Sequence, residues 1–324
     1  MRTTVRSLVL ALIVTLFASA AAQDVVLRAA DNQPDDYPTV QGLYFMADYL
    51  EAMTDGRIVM EVFSGGQLGD ERSTIEQVQL GVIDLVRTST SPVGEFYQPM
   101  GVFSLPYIFR GETHMWKVVN GPIGRELLDG LMDANLVGLA YYDSGSRNFY
   151  TTETPVREVA DLQGLRMRTQ QSQVVLDMMD ALGAEPVPMA FEEVYSSLQT
   201  GVIDGAENNF PSYGPFGVRH YEVAPYFTLD GHARVPEVVM MAQSTWDGLS
   251  AEDQMLVREA ALASVTVQAA LWDDLSNESR DAVVEAGSEI INVDVAEFQA
   301  AMDPVYAEYG TAYGDLVERI LAVE

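Results

Sequence analysis

The sequence predicts an α/β protein of two similarly built lobes that face each other across a cleft. Three observations predict it. Strand-like and helix-like segments alternate up to about residue 90 and again after residue 160, the pattern of sheets layered with helices and of mostly parallel strands. The string Gln-x-Gly-Val-Ile-Asp occurs twice, in "VQLGVIDLVRTS" (78–89) and in "LQTGVIDGAENN" (198–209), at equivalent points of the two units. An Ala-rich, helix-favouring stretch at 250–286 follows both units and is long enough to brace them. Two lobes built alike make the cleft between them the natural binding site.

In the first unit, "VVLRAAD" (25–31) reads as a strand. Pro38 to Thr54 reads as a helix with Leu43, Met46, Ala47 and Leu50 on one face. "RIVMEVF" (57–63) is a strand, and Asp70 starts a helix that runs to Leu80. Gly81 stands where a helix end takes a left-handed residue, and Val82 to Val86 resumes as strand. Leu136 to Tyr142 is a further strand. The order then returns: "LRMRT" (165–169) as strand, Gln171 to Leu182 as a helix ending at Gly183, "EPVPM" (185–189) as a short strand, Phe191 to Thr200 as helix, Gly201 as its cap, and Val202 to Ala206 as strand. "VPEVVMMAQ" (235–243) precedes the long helix, and Val305 to Val323 is helical again. The repeated string is thus the end of a helix, its glycine and the start of a buried strand, with Val82, Ile83, Val202 and Ile203 expected in the core. No low-complexity linker separates the units, so several strand or helix crossings should join them.

Composition bounds the function. The chain has 324 residues and is 48% hydrophobic, enough for a sizeable core. Residues 1–22 read as a signal peptide: Arg2 and Arg6 at the front, the apolar run "LVLALIVTLFA" (8–18), then "ASAAA" before a cleavage point near Ala22. The run is too short for a membrane span, which needs about 20 residues, so an exported protein of the periplasm is expected. There is no cysteine, which excludes thiol catalysis and thiolate metal sites. The formal charge is −30, and loss of Arg2 and Arg6 would take it to −32. Such a surface repels nucleic acid and anionic membrane. It suits high salt, which screens self-repulsion. An anionic ligand would therefore have to be held by locally placed arginines; Lys117 is the only lysine.

Catalytic templates are scarce. His114, His220 and His232 have no metal-ligand spacing, and no nucleophile elbow or phosphate-binding glycine loop is present. "SGGQLG" (64–69) lacks the Gly-Lys-Ser/Thr ending and reads as a turn into the helix at Asp70. With 48 carboxylates, chance acid pairs carry no argument. Neither a cofactor nor a metal is expected. What stands out is arginine at strand ends: Arg147 in "YYDSGSRNFYT", and Arg166 and Arg168 in "LRMRT". Alternation places Arg166 and Arg168 on one face of their strand. Ligands of α/β folds bind at the carboxyl ends of strands, which favours Arg168. An arginine fork holds a carboxylate through charge-assisted hydrogen bonds of roughly 1.5–3 kcal/mol each. Two could supply much of the roughly 8 kcal/mol of micromolar binding. Arg147 could equally pair with an acid. In "AENN" (206–209), Asn208 and Asn209 suit ligand hydroxyls, and an asparagine here suits a helix N-cap equally well.

The segments "GGQLGDER", "EQVQLGVIDLV", "FSLPYIFR", "DLQGLRMRTQ", "LGAEPVPMAFEEVYSSLQTGVIDGAENN" and "HYEVAPYFTL" together give a specific resemblance over essentially the whole mature chain. It resembles the extracytoplasmic solute-binding proteins of tripartite ATP-independent periplasmic (TRAP) transporters, the DctP-like family. The resemblance implies a two-lobed periplasmic binding protein fold, with crossing strands and a long bracing helix, that closes over an organic anion. It implies lobe I at 23–145 and 234–273, and lobe II at 146–233 and 274–324. Arg168 would form the selectivity salt bridge to the ligand carboxylate, with Arg147 the second ligand-binding arginine, Phe191 an aromatic against the ligand and Asn208 a hydrogen-bonding asparagine.

"MAFEEVYSSLQTGVIDGAENNFPSY" looks like members that take sugar acids, in particular hexuronates such as glucuronate and galacturonate. In those members Glu71 and the loop "DNQPDDYPTV" would contact hydroxyls. Gln33 stands where many of them carry a histidine, and Ser89 where sialic-acid binders carry a glutamate. The implied function is capture of a carboxylated, polyhydroxylated solute for delivery to TRAP membrane permease subunits, without catalysis. Three alternatives stand beside it. One is a periplasmic sugar-acid lyase or hydrolase with Glu207 or Tyr213 as base. Another is a binder of keto acids or dicarboxylates through the same arginine. The last is a sensor ectodomain, which an end at Glu324 with no downstream kinase or span disfavours.

Overall fold

The computed structural model describes residues 25–324; the signal-peptide reading at 1–22 lies outside the described residues. Two sheets form the two lobes. The first has strand order β2-β1-β3-β10-β4, from β1 (Val25–Ala30), β2 (Ile58–Phe63), β3 (Leu85–Ser89), β4 (Leu136–Tyr142) and β10 (Glu237–Ala242). The second has order β11-β9-β5-β8-β6-β7, from β5 (Arg147–Thr151), β6 (Arg166–Thr169), β7 (Glu185–Pro188), β8 (Gly205–Asn208), β9 (Tyr226–Ala233) and β11 (Glu289–Asn292).

The expectation of mostly parallel strands holds for the edge pair β11-β9 and inside each repeated unit. There β2-β1-β3 and β8-β6-β7 are parallel. Strand β10 runs antiparallel to both β3 and β4, and β5 runs antiparallel to both β8 and β9. These are strands next to the lobe crossings, and the crossings reverse the chain direction as it enters the other sheet. One crossing is 143–146, from β4 to β5, and the other is 234–236, from β9 to β10. They are tied together, with the Ser144 hydroxyl donating to the Val235 carbonyl at 2.5 Å and Arg234 donating to Asp143 at 2.6 Å.

The long helix runs from Ala251 to Glu285, with Ser250 accepting from the Asp253 N–H as its N-cap. At about 1.5 Å per residue, its 35 residues reach from one lobe to the other. Its first half packs Val257, Ala260 and Ala261 into a core with Leu43, Met46 and Leu50 of the Pro38–Met53 helix. Farther on, Gln268 brackets the first crossing, accepting from the Asp143 N–H and donating to the Asp143 carbonyl. The C-terminal segment expected as one helix is two, Asp303–Ala312 and Leu316–Leu321, broken where Gly314 takes φ +58°. The last helix lies against the first lobe, with Arg110 donating to the Leu321 carbonyl at 2.8 Å.

The repeated string is a matched joint with a correction. In each copy the glycine is left-handed, Gly81 at φ +68° and Gly201 at φ +70°. The N–H of the following valine reaches back to the helix: Val82 to the Gln77 carbonyl and Val202 to the Ser197 carbonyl, both at 2.9 Å. Gly81 and Gly201 donate to Val78 and Leu198, which completes a Schellman cap in both copies. A valine spent on the helix end cannot join the strand ladder. Val82 and Val202 are accordingly exposed, and the strands begin three residues later than expected, at Leu85 and Gly205; Ile83 and Ile203 are buried. The aspartates staple the joint to the next strand. Asp84 accepts from the Arg28 N–H and Asp204 from the Arg166 N–H, each beside an ion pair to the same arginine. Arg166 is thereby a scaffold residue.

Candidate functional site

The cleft is walled by strand ends, and the antiparallel crossings decide which ends. Strands β6 and β8 are parallel and present their carboxyl ends, with Arg168 one residue from the end of β6 and Asn208 at the end of β8. Because β5 is antiparallel to β8, with Asn148 opposite Asn208, its amino end comes to the same edge and carries Arg147 there. In the first lobe the same logic joins Ser89 at the end of β3, Tyr142 at the end of β4 and Glu237 at the start of β10. Gln33 lies in the loop after β1. Glu71 is the first residue of the Glu71–Gln79 helix, whose N-cap Asp70 accepts from the Ser73 N–H.

Between the edges is a small, narrow cavity. All seven residues expected from the sequence line it: Gln33 and Glu71 from the first lobe, and Arg147, Arg168, Phe191, Asn208 and Asn209 from the second. Asn32 and Tyr37 of the expected loop at 31–40 line it too, and sequence reasoning missed Arg87, Gln170, Ser212 and Glu237, which complete the lining. Arg87 carried one usable signal, an arginine in the buried strand that follows the first repeat. Glu237 was one carboxylate among many.

The two second-lobe arginines differ in what holds them. Arg168 is 2% exposed, and its Nε and Nη2 both donate to the Met189 carbonyl. No carboxylate of the described residues pairs with it, and its Nη1 has no hydrogen-bond partner among them. Burial consequently lowers its affinity for its proton. Phe191 lies under the guanidinium at 5.9 Å from ring centroid to Cζ. Arg147, by contrast, is gripped by Glu207: Nε donates to Oε2, and Nη2 to Oε1 at 2.8 Å and to the backbone carbonyl at 3.1 Å. Its Nη1 is also without a partner among the described residues. The pairing expected as an alternative for Arg147 is therefore present, and it leaves one arm of the fork toward the cleft.

Behind Arg147 lies a buried charge relay. His232 stacks on Phe149 at 4.4 Å, with Nδ1 2.7 Å from Asp230 and Nε2 3.4 Å from Glu207. Burial opposes its charge, but Asp230 and then Glu207 override that and raise it to about 9. Burial likewise opposes the charge on Glu207, and Arg147 with His232 brings it down to about 2. His220, buried against Tyr150 and Phe191, falls to about 3 through burial, with the Arg168 charge adding to it. It is a neutral packing residue.

The asparagines divide. Asn209 caps the Phe210–Tyr213 helix, its Oδ1 accepting from the Ser212 N–H at 2.8 Å, and its Nδ2 donates to the Ser144 carbonyl at 2.9 Å. Asn208 accepts from the Asn209 N–H and has no partner for Nδ2 among the described residues. Glu71 has Oε1 fixed by the Thr88 hydroxyl at 3.0 Å and the Ser89 N–H at 2.9 Å, while Oε2 has no partner among the described residues. Gln33 and Gln170 each leave a buried Oε1 without a partner. This cavity offers a free guanidinium arm from each of two arginines and several open acceptors around them, the requirements of a carboxylate bearing hydroxyls. The two candidate bases of a lyase or hydrolase are poorly placed for that role. Both oxygens of Glu207 are engaged by Arg147 and its pKa is lowered to about 2, which makes it a weak base. The Tyr213 hydroxyl donates to the Ala224 carbonyl at 2.8 Å, with burial pushing its pKa up.

Comparison with known proteins gives the lineage. Residues 29–312 match the family described as bacterial extracellular solute-binding protein, family 7 (DctP). A solute-binding protein of Chromohalobacter salexigens is 35% identical over 316 residues, 97% of this chain and 94% of its own. A TRAP periplasmic solute binding protein from Xanthobacter autotrophicus Py2, solved with bound β-D-galacturonate, has a TM-score of 0.89 at 44% identity and covers 92% of this chain and 100% of that one. Another from Pseudomonas putida F1, with bound D-glucuronate, has a TM-score of 0.90 at 41% identity, covering 93% and 98%. With the family matched along most of its length and the two-lobed fold shared throughout, the chain belongs to the bacterial extracellular solute-binding proteins of family 7, the DctP-type binding proteins of TRAP transporters.

Proposed function

We propose that this protein captures a hexuronate, of the D-glucuronate or D-galacturonate type, in the periplasm and delivers it to a TRAP membrane permease. The observation that carries the ligand class is Arg168, a buried guanidinium with no carboxylate partner among the described residues, in a cavity otherwise furnished with hydrogen-bond acceptors. A buried charge of that kind is costly until a counter-ion arrives, and a ligand carboxylate is the counter-ion. Two relatives of at least 41% identity were solved with hexuronates bound, which supports the same class here. In this reading Arg168 and the free arm of Arg147 hold the carboxylate and Phe191 packs on the ligand. Asn208, Glu71 and Gln33 read hydroxyls, and Asn209 positions Asn208 and the lobe crossing. The binding role leaves the solute unchanged. Residues 1–22 would direct export and be removed with it, which N-terminal sequencing of the exported protein checks.

A thermal-shift screen over hexuronates, aldonates, keto acids and dicarboxylates tests the ligand class, since a ligand that binds only the folded state raises the melting temperature. Stabilisation by hexuronates is the expected result. Stabilisation by dicarboxylates with none by hexuronates would overturn the proposal.

A further inference from the structure

The charges lining the cleft do not balance evenly. Arg87 is 2% exposed, and every nitrogen of its guanidinium is taken. Nε donates to Asp31 Oδ2 at 2.7 Å, Nη1 donates to Glu237 Oε2 at 2.8 Å, and Nη2 donates to Asp31 Oδ1 and to Asn32 at 3.0 Å. Two carboxylates thus share one cation; burial raises the Glu237 pKa to about 7, so the cluster is anionic where Glu237 is ionised, although an arginine stands at its centre. Asp31 is further held by the Thr39 hydroxyl at 3.0 Å and the Gln33 N–H at 2.8 Å, which orient it toward Arg87. Arg147 is matched by Glu207. Among the described residues, Arg168 is the one cavity-lining arginine without a carboxylate.

Glu71 adds a further carboxylate to the first-lobe wall. Its Oε1 is occupied by backbone and hydroxyl donors, so the oxygen left for a ligand, Oε2, can only accept while the group is ionised. A hydroxyl satisfies it, whereas a carboxylate brings like charge and no proton. Resting on the hexuronate reading above, we propose that Glu71 and the Asp31–Arg87–Glu237 cluster are specificity determinants that reject a second carboxylate. The cleft then takes sugar acids with one carboxylate, and refuses the corresponding sugar diacids (aldarates) and short dicarboxylates. The second carboxylate of a diacid would have no free guanidinium to meet and would face acids on the opposite wall. Discrimination of this kind comes from a repulsive element built against the wrong ligand.

The test is calorimetric titration at pH 7.5 of the wild-type protein, Glu71→Gln and Glu237→Gln with D-galacturonate, D-glucuronate, galactarate, D-glucarate and succinate. Wild type should bind a hexuronate at least about 100-fold more tightly than its aldarate, the size expected of like-charge juxtaposition. Glu71→Gln turns the open acceptor into an amide donor, and Glu237→Gln removes the excess charge on Arg87. Each should narrow the aldarate-to-hexuronate ratio at least about tenfold, with melting curves reporting that the variant is folded. Wild type that binds aldarates within tenfold of hexuronates overturns this proposal and leaves hexuronate binding standing. So does a folded Glu71→Gln that keeps the full wild-type ratio. Wild type that binds no hexuronate overturns the functional reading itself, and this proposal with it.

Discussion

The hydroxyls of Tyr37 and Ser212 lie 2.8 Å apart, joining the first lobe to the second across the cleft. Tyr37 also donates to Asn209 Oδ1 at 3.4 Å, and its ring meets Trp272 of the long helix edge-on at 5.8 Å. Burial pushes the phenol pKa up, so it stays protonated and able to donate. The contact bridges the two lobes, so a hinge opening of the cleft would have to break it. Tyr37→Phe should therefore speed ligand release with little change in association. A neutral hydrogen bond of about 0.5–1.5 kcal/mol corresponds to roughly a two- to twelvefold faster off-rate. Stopped-flow dissociation measures it, and an unchanged off-rate would show that the contact plays no part in holding the cleft shut.

Arg168 should matter to the ligand and not to the fold. Arg168→Met removes a buried charge that has no carboxylate partner among the described residues, so the ligand-free variant should melt at or above the wild-type temperature. Binding should weaken by about 3 kcal/mol or more, through loss of charge-assisted hydrogen bonds to the carboxylate. Calorimetry and melting curves on the same samples decide it. A variant that binds hexuronate like wild type would remove Arg168 from the site.

The adjacent asparagines should separate by phenotype. Asn209→Ala loses an N-cap and a hydrogen bond to the crossing segment. It should cost about 1 kcal/mol or more of stability. Asn208→Ala, with its free amide nitrogen in the cavity, should chiefly weaken binding. Denaturant unfolding and titration of both variants check the split, and matching losses in the two would contradict it.

The Arg147–Glu207–His232–Asp230 relay predicts two pH limits on stability. Glu207 sits at about 2 in the folded protein against an ordinary 4.5. Its contribution is complete above 4.5 and is lost as pH falls toward 2. His232 sits at about 9 against an ordinary 6.5. Its contribution is complete below 6.5 and is lost as pH rises through 9. Each amounts to ~3 kcal/mol, and because the two groups are coupled the figures do not add. The relay is therefore at full strength between about 4.5 and 6.5. Chemical denaturation of wild type and His232→Gln at intervals from pH 3 to 10 measures the alkaline limit. The stability gap between them should shrink between pH 6.5 and 9; a gap that stays constant across that range would contradict the His232 assignment.

Much of the fold was legible because it is local. The Schellman caps at Gly81 and Gly201 are closed within six residues, so the glycine and its neighbours were sufficient to mark both joints. What was misread there, the burial of Val82 and Val202, follows from the same cap, which draws the valine N–H back to the helix. Among site residues, Arg168 and Asn208 stood out as polar groups at the carboxyl ends of strands in an otherwise apolar pattern. Arg87 and Glu237 did not, because their meaning lies in each other: they are 150 positions apart in sequence and 2.8 Å apart in space.

By itself the sequence determined the alternation of strand and helix, the two matched joints, the long bracing helix and the types of side chain able to hold a carboxylate. These depend on periodicity and on hydrogen bonds between near neighbours. Only the tertiary structure decided the antiparallel crossing strands, and with them which strand ends meet at the cleft. It also decided that Arg147 is paired while Arg168 is not, and that Arg87 serves two acids. A guanidinium is free or spent according to what the chain brings beside it from far away, and no local pattern carries that information.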